Sequence, residues 1–235
     1  MATGQAPEAA AKASVFEDFI DIFTSPAEVF KRRMGAGVWL QMLILTVIGV
    51  GLYLVTRSIL MPIFDAEMSR AFAKNPGMTA DQIEGAKSMA GKIGPIFVAI
   101  GIPISMFFTG LFIWVAGKIF GAQQTLGDAV MVATYAWIPR VLQFVAAAAM
   151  GAMMDASKMN GLFSASLSAG KFLDPETTAR PIYILAGRFD LFILWQTILL
   201  GIGLSVTGKI SRSQAYIAMA IVWLIGSGMT MLFQR

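Results

Sequence analysis

Five long stretches of the chain, about 38–64, 93–119, 126–154, 188–207 and 215–233, are apolar and almost free of charge. Inside a bilayer there is no water to bond the backbone, so a crossing segment must satisfy its own N–H and C=O groups, which a helix does. About 20 apolar residues suffice to cross a hydrocarbon core of about 30 Å. The sequence therefore predicts an all-α polytopic membrane protein, a bundle of five transmembrane helices. Only 14% of residues are charged, against roughly 25% in soluble domains, and the shift is concentrated in these runs.

Between and before the runs the organisation is simple. Residues 1–14 are Ala-rich and polar and read as a disordered tail. They lack the early apolar stretch of a signal peptide, so insertion is expected to begin with the first span. Residues 15–37 read as amphipathic cytoplasmic helices, and 38–235 as the transmembrane domain, with extramembrane loops at about 65–92 and 155–187.

In the amphipathic segment Val15, Phe16, Phe19, Ile20 and Phe23 recur at helical spacing, with Glu17, Asp18 and Asp21 on the opposite face. An acidic face does not attract anionic lipid, so packing on the protein's own helices or on a protein partner suits it better. Ser25-Pro26-Ala27-Glu28 is a helix-start signal, with a serine cap, proline at the first position and glutamate at the third. Phe16, Phe19, Phe23 and Phe30 are the candidate partner contacts.

Within the spans the sequence expects Pro62 to break or bend the first exit and Pro103 to kink the second helix. Asn75-Pro76-Gly77 reads as a turn, and Thr79 to Gln82 as the capping box of a short surface helix. Lys31-Arg32-Arg33 precedes the first span, and the two tight connections also carry basic residues. Charges so close to span ends favour the cytoplasm. The expected topology is N-terminus inside and C-terminus outside, in a bacterial cytoplasmic (inner) membrane.

Composition excludes several chemistries. The chain has no Cys and no His, which removes cysteine nucleophiles, Ser–His–Asp catalysis and metal or haem sites built on those ligands. Neither a phosphate-binding loop nor a dinucleotide fingerprint occurs. No cofactor and no metal is expected, and the chain does not read as an enzyme. A net charge of +4, dispersed along the chain, suits lipid headgroups rather than nucleic acid. The partners expected are the lipid bilayer and a protein bound through the N-terminal helices; the oligomeric state is left open.

One residue stands out among the spans. Arg140 follows Pro139 near the middle of the third run, where a charge costs about 2.5–3.5 kcal/mol on insertion scales. It is expected to face the bundle interior, either lining a polar site with Tyr135 and Gln143 or paired with a carboxylate. Asp190, at the start of the fourth run, is the candidate partner, and equally an acidic residue of a helix's first turn, favoured there by the macrodipole. Asp128, three residues after Thr125, fits a cap. Gly117 and Gly121 make a GxxxG spacing that is read as packing.

Several segments carry a family resemblance. Ile22-Phe23-Thr24-Ser25-Pro26-Ala27-Glu28-Val29-Phe30, then Tyr135-Ala136-Trp137-Ile138-Pro139, then Asp190-Leu191-Phe192 to Trp195 and Gly201-Ile202-Gly203-Leu204 resemble the bacterial branch of the Yip (Ypt-interacting protein) family. The resemblance implies five spans and a cytoplasmic N-terminus. Eukaryotic relatives act in vesicle trafficking and contact small GTPases of the Rab class, but their Asp-Leu-Tyr-Gly-Pro motif does not occur here. The implied function is a non-enzymatic protein that organises membranes or partner proteins. The alternative is a channel or transporter component with a path along the proline-containing second and third helices.

Overall fold

A computed structural model describes residues 14–73, 77 and 79–233. Its helices are α1 (Val15–Thr24), α2 (Pro26–Arg33), α3 (Trp39–Ala73), α4 (Ala80–Ile119), α5 (Leu126–Ala136), α6 (Ile138–Ala152), α7 (Arg180–Arg188), α8 (Leu191–Gly208) and α9 (Arg212–Phe233). Among the described residues five helical units are long and apolar enough to cross a membrane, with α5 and α6 together forming the third. The expected tail lies mostly outside the described residues, as do Asn75 and Pro76 of the expected turn; Gly77 is in a turn.

Helix starts are set locally. Ser14 caps α1, Thr79 caps α4 and Thr125 caps α5, each in a reciprocal box with Glu17, Gln82 and Asp128 respectively. Ser211 and Gln214 exchange the same pair of bonds, at 3.1 and 3.2 Å, in the first turn of α9. Each box satisfies two N–H groups that the first turn leaves free.

The first two spans are longer than the sequence suggested. α3 has 35 residues and α4 has 40, about 52 and 60 Å at 1.5 Å per residue. Residues 65–73 and 80–92 are therefore continuations of the two helices, and not a loop with its own surface helix. The capping box at Thr79 begins α4 itself, and the helix continues through Pro95 and Pro103, as α3 does through Pro62. Both helices outreach a hydrocarbon core of about 30 Å and continue as a hairpin beyond it.

The third span is broken where the sequence placed its proline. α5 ends at Ala136, Trp137 closes the turn by donating to the Thr134 carbonyl at 3.2 Å, and α6 resumes with Pro139 in its first turn. Proline is tolerated there because a first-turn N–H has no intrahelical acceptor. α5 packs against α4 and α8, and its residues from Asp128 to Ala136 are all buried. Small residues permit that approach: a Cβ on Gly110 of α4 would lie 2.6 Å from the Val130 Cα. Gly117 is similarly close to Leu204, whereas Gly121 has φ +76 and serves the turn after α4. The GxxxG pair thus divides into one packing glycine and one turn glycine.

Residues 155–187 are not simply a polar loop. They contain two short 3-10 turns and most of α7, which lies against α9. Glu67 of α3 ties this segment down, pairing with Arg180 at 3.0 Å and accepting from the Leu162 N–H at 3.0 Å. Arg70 pairs with Glu67 at 2.9 Å and also donates to the Asn160 carbonyl.

Candidate functional site

Two clusters of charge lie against the third span. The first is built by the N-terminal hairpin. α1 turns Asp18 inward: the residue is fully buried and pairs with Arg32 at 2.6 Å and with Arg33. The Tyr135 hydroxyl donates to the same carboxylate at 2.8 Å, so one aspartate joins α1, α2 and α5. Asp21 adds a second pair to Arg32 at 2.6 Å. Burial by itself would lower the Arg32 guanidinium, but hydrogen bonds to Asp21 and Asp18 outweigh it and hold the group above its ordinary value. Just beyond α2, the Gly35 N–H donates to Asp128 at 2.8 Å, so the capping carboxylate of α5 also anchors the entry to α3.

This departs in part from the face expected for α1. Asp18 is buried against two arginines while Glu17 stays exposed, and Phe16 (71% exposed) and Ile20 (69%) point away from the bundle. Of the four candidate contact residues, Phe30 is fully buried in the core, Phe23 packs edge-on against Trp195 at 5.1 Å, and Phe19 against Tyr135 at 6.4 Å. Phe16 alone of the four is exposed.

The second cluster surrounds Arg140. Asp190 and Arg188 are the charges near enough to act on it, yet no ion pair joins Arg140 to Asp190 within 4.0 Å among the described residues. Asp190 is instead the cap of α8, its Oδ1 accepting from the N–H groups of Phe192 at 2.9 Å and Ile193 at 3.3 Å. Capping is what a side-chain acceptor at this position does best. Its Oδ2 is buried with no hydrogen-bond partner. Arg188 reaches across to Ser227 of α9 at 3.3 Å.

The expected polar site is therefore divided. Tyr135 belongs to the Asp18 cluster, and Arg140 and Asp190 to the other. Pro139 is buried at the helix break between them, and Gln143 is half-buried on α6. The Asp18–Arg32–Arg33–Tyr135 cluster was missed in the sequence because amphipathic spacing alone puts every charge of α1 toward water. The near-coincidence of an acidic helix and the bases of Lys31-Arg32-Arg33 was the available signal.

Comparison with known proteins decides the family. The Yip1 domain family matches residues 20–233, nearly the whole chain. The chain belongs to that family. It is similar to the membrane protein YknW of Bacillus subtilis, with 24% identity over 204 residues, covering 86% of this chain and 83% of that protein. No solved structure matches. The Yip1 match begins inside α1, so it takes in the hairpin and the five spans together. With five apolar helices, this membership makes the chain an integral membrane protein.

Proposed function

We propose that this Yip1-family protein is a non-enzymatic organiser of the membrane or of a partner protein, acting through its N-terminal hairpin. The observation that carries the reading is the filled centre of the bundle: α5 is buried from Asp128 to Ala136, and Trp137, Ile138 and Pro139 continue the buried run. A solute path along the second and third spans would have to pass this packed column. The charges nearest it on one side are bound to one another through Asp18. The outward surface of α1, centred on Phe16 and Ile20, is the contact surface. The hairpin faces the cytoplasm of a bacterial inner membrane and the C-terminus faces outside, in keeping with the bases of α2.

The test uses the exposed residues, so the core is left alone. Replacing Phe16 and Ile20 by serine is expected to abolish retention of a cross-linked partner, or association of the hairpin with lipid, without changing detergent-solubilised stability. Because the chain has no cysteine, Phe16→Cys and Phe172→Cys give single labelling sites on the two sides. Reaction of both with an impermeant maleimide from the same side would sink the topology.

A second reading, a transport component, draws on one observation: Arg140 lies within electrostatic reach of Asp190, one of whose oxygens is buried without a hydrogen-bond partner. Solute flux in reconstituted liposomes, lost on Arg140→Gln, would establish it in place of the first.

A further inference from the structure

Where α3 and α4 leave the hydrocarbon layer, two cavities open beside them. One is a cleft of about 590 Å3 walled by Arg57, Asp65, Glu84, Lys87 and Lys92. The other is a narrower cavity of about 110 Å3 lined by Tyr53, Leu60, Phe64 and, from α6, Phe144. They meet at Arg57, Met61 and Gly91, which line both. The polar and apolar spaces thus form one amphipathic crevice.

Three features of this crevice point to the same occupant. Its depth is the first: Arg57 lies about 27 Å along α3 from Trp39, near the edge of a core about 30 Å thick. Phospholipid headgroups sit at that level. Charge is the second: three cations and two carboxylates face the cleft, and among the described residues none of the five forms an ion pair. Lys87 has only a 3.5 Å contact with the Ser69 hydroxyl. The third is Gly91, where a Cβ would meet nothing within 4 Å, leaving the junction between the two spaces open.

We propose that this crevice binds one phospholipid with a phosphoethanolamine headgroup. The phosphate lies among Arg57, Lys87 and Lys92. The primary ammonium donates to Asp65 and Glu84, and an acyl segment enters between Tyr53, Leu60 and Phe144. A phosphoglycerol headgroup would place the same phosphate among the cations but leave the two carboxylates without a cation. A choline headgroup has no N–H to offer them. Both are disfavoured by the chemistry of the walls.

The test uses the full chain, purified and delipidated in detergent, with bound lipid counted by native mass spectrometry. Dioleoyl phosphatidylethanolamine is expected to be retained as a single copy at a concentration about tenfold lower than the phosphatidylcholine or phosphatidylglycerol analogues, about the size of one hydrogen bond to a charged group. Asp65→Asn with Glu84→Gln is expected to erase that preference, leaving phosphatidylglycerol bound at least as well. Gly91→Leu is expected to abolish retention of all three. Gly91→Ala, which adds one methyl into open space, serves as the folded control by circular dichroism and retains the lipid. Equal retention of the three lipids, unchanged retention by Gly91→Leu, or competition by acyl-free glycerophosphoethanolamine as strong as by the lipid would each overturn the proposal.

Discussion

The first and third spans look alike as apolar runs, yet they occupy opposite environments. Of the most apolar window in α3, 17% is buried within the protein, against 61% for the window spanning α5 and α6. The first is rich in Leu, Ile and Val, and Leu40, Leu43, Val47 and Val55 are exposed. The third is less apolar and richer in small and polar residues: Ala129, Ala133, Thr134, Tyr135 and Ala136 are all buried. In water the most hydrophobic segment goes inside. In lipid, aliphatic side chains gain nothing by leaving the acyl chains, so packing and hydrogen bonds choose the central helix. Small residues bring α4 and α8 close to α5, while its hydroxyls donate to the Val130 carbonyl of the same helix and to Asp18 of α1.

The sharpest way to break this contrast is to remove the charge that fastens α1 and α2 to the central span. Asp18→Ala leaves Arg32, Arg33 and the Tyr135 hydroxyl without their shared acceptor. Stripping one partner from a buried pair costs about 3–5 kcal/mol, and thermal denaturation in detergent should register it as the largest loss of any single substitution here. A loss no greater than that of a lipid-facing change would show that the cluster does not hold the hairpin.

Next in size is a paired test within one helix. Gly110→Ala places a methyl against the Val130 backbone, while Gly101→Ala meets nothing within 4 Å. Overpacking costs about 1–3 kcal/mol, whereas the second change should stabilise by up to about 1 kcal/mol through helix propensity. Melting shifts of opposite sign support the central packing; shifts of the same sign would deny it.

Gln124→Ala probes the polar side of the column. The amide accepts from Thr207 at 2.7 Å and donates to the Ile113 carbonyl at 3.3 Å. Thr207 retains its bond to Gly203, so the expected loss is about 1 kcal/mol, measured by the same denaturation. Smallest of all is Val55→Leu on the lipid-facing side of α3, expected to stay within about 0.5 kcal/mol. A larger shift would mean that this surface is covered by another protein.

Much of the architecture could be read from the chain. Apolar run length gave five spans, and the Thr125–Asp128 spacing gave the α5 cap. The ends of α3 and α4 were not readable that way, because residues 65–73 and 80–92 are polar and helical at once: polarity records the exit from lipid, while helix continuity is set by backbone bonding that water does not forbid. Arg140 and Asp190 were read from the sequence as candidate partners, but the Asp190 oxygen is used by the α8 N–H groups, which lie much nearer in sequence. The Asp18 cluster was the least readable part. Periodicity assigns a face to each helix but not the direction that face will point when two short helices fold on each other.

The reciprocal side-chain bonds at Ser14, Thr79, Thr125 and Ser211 bear on biosynthesis. Each needs only four consecutive residues and no distant part of the chain. A nascent polypeptide can therefore mark where four of its helices begin while the rest is still being made. Registration of those helices need not wait for assembly: the bundle inherits start points already fixed during synthesis, and later assembly has only to choose which side of each rod faces its neighbours.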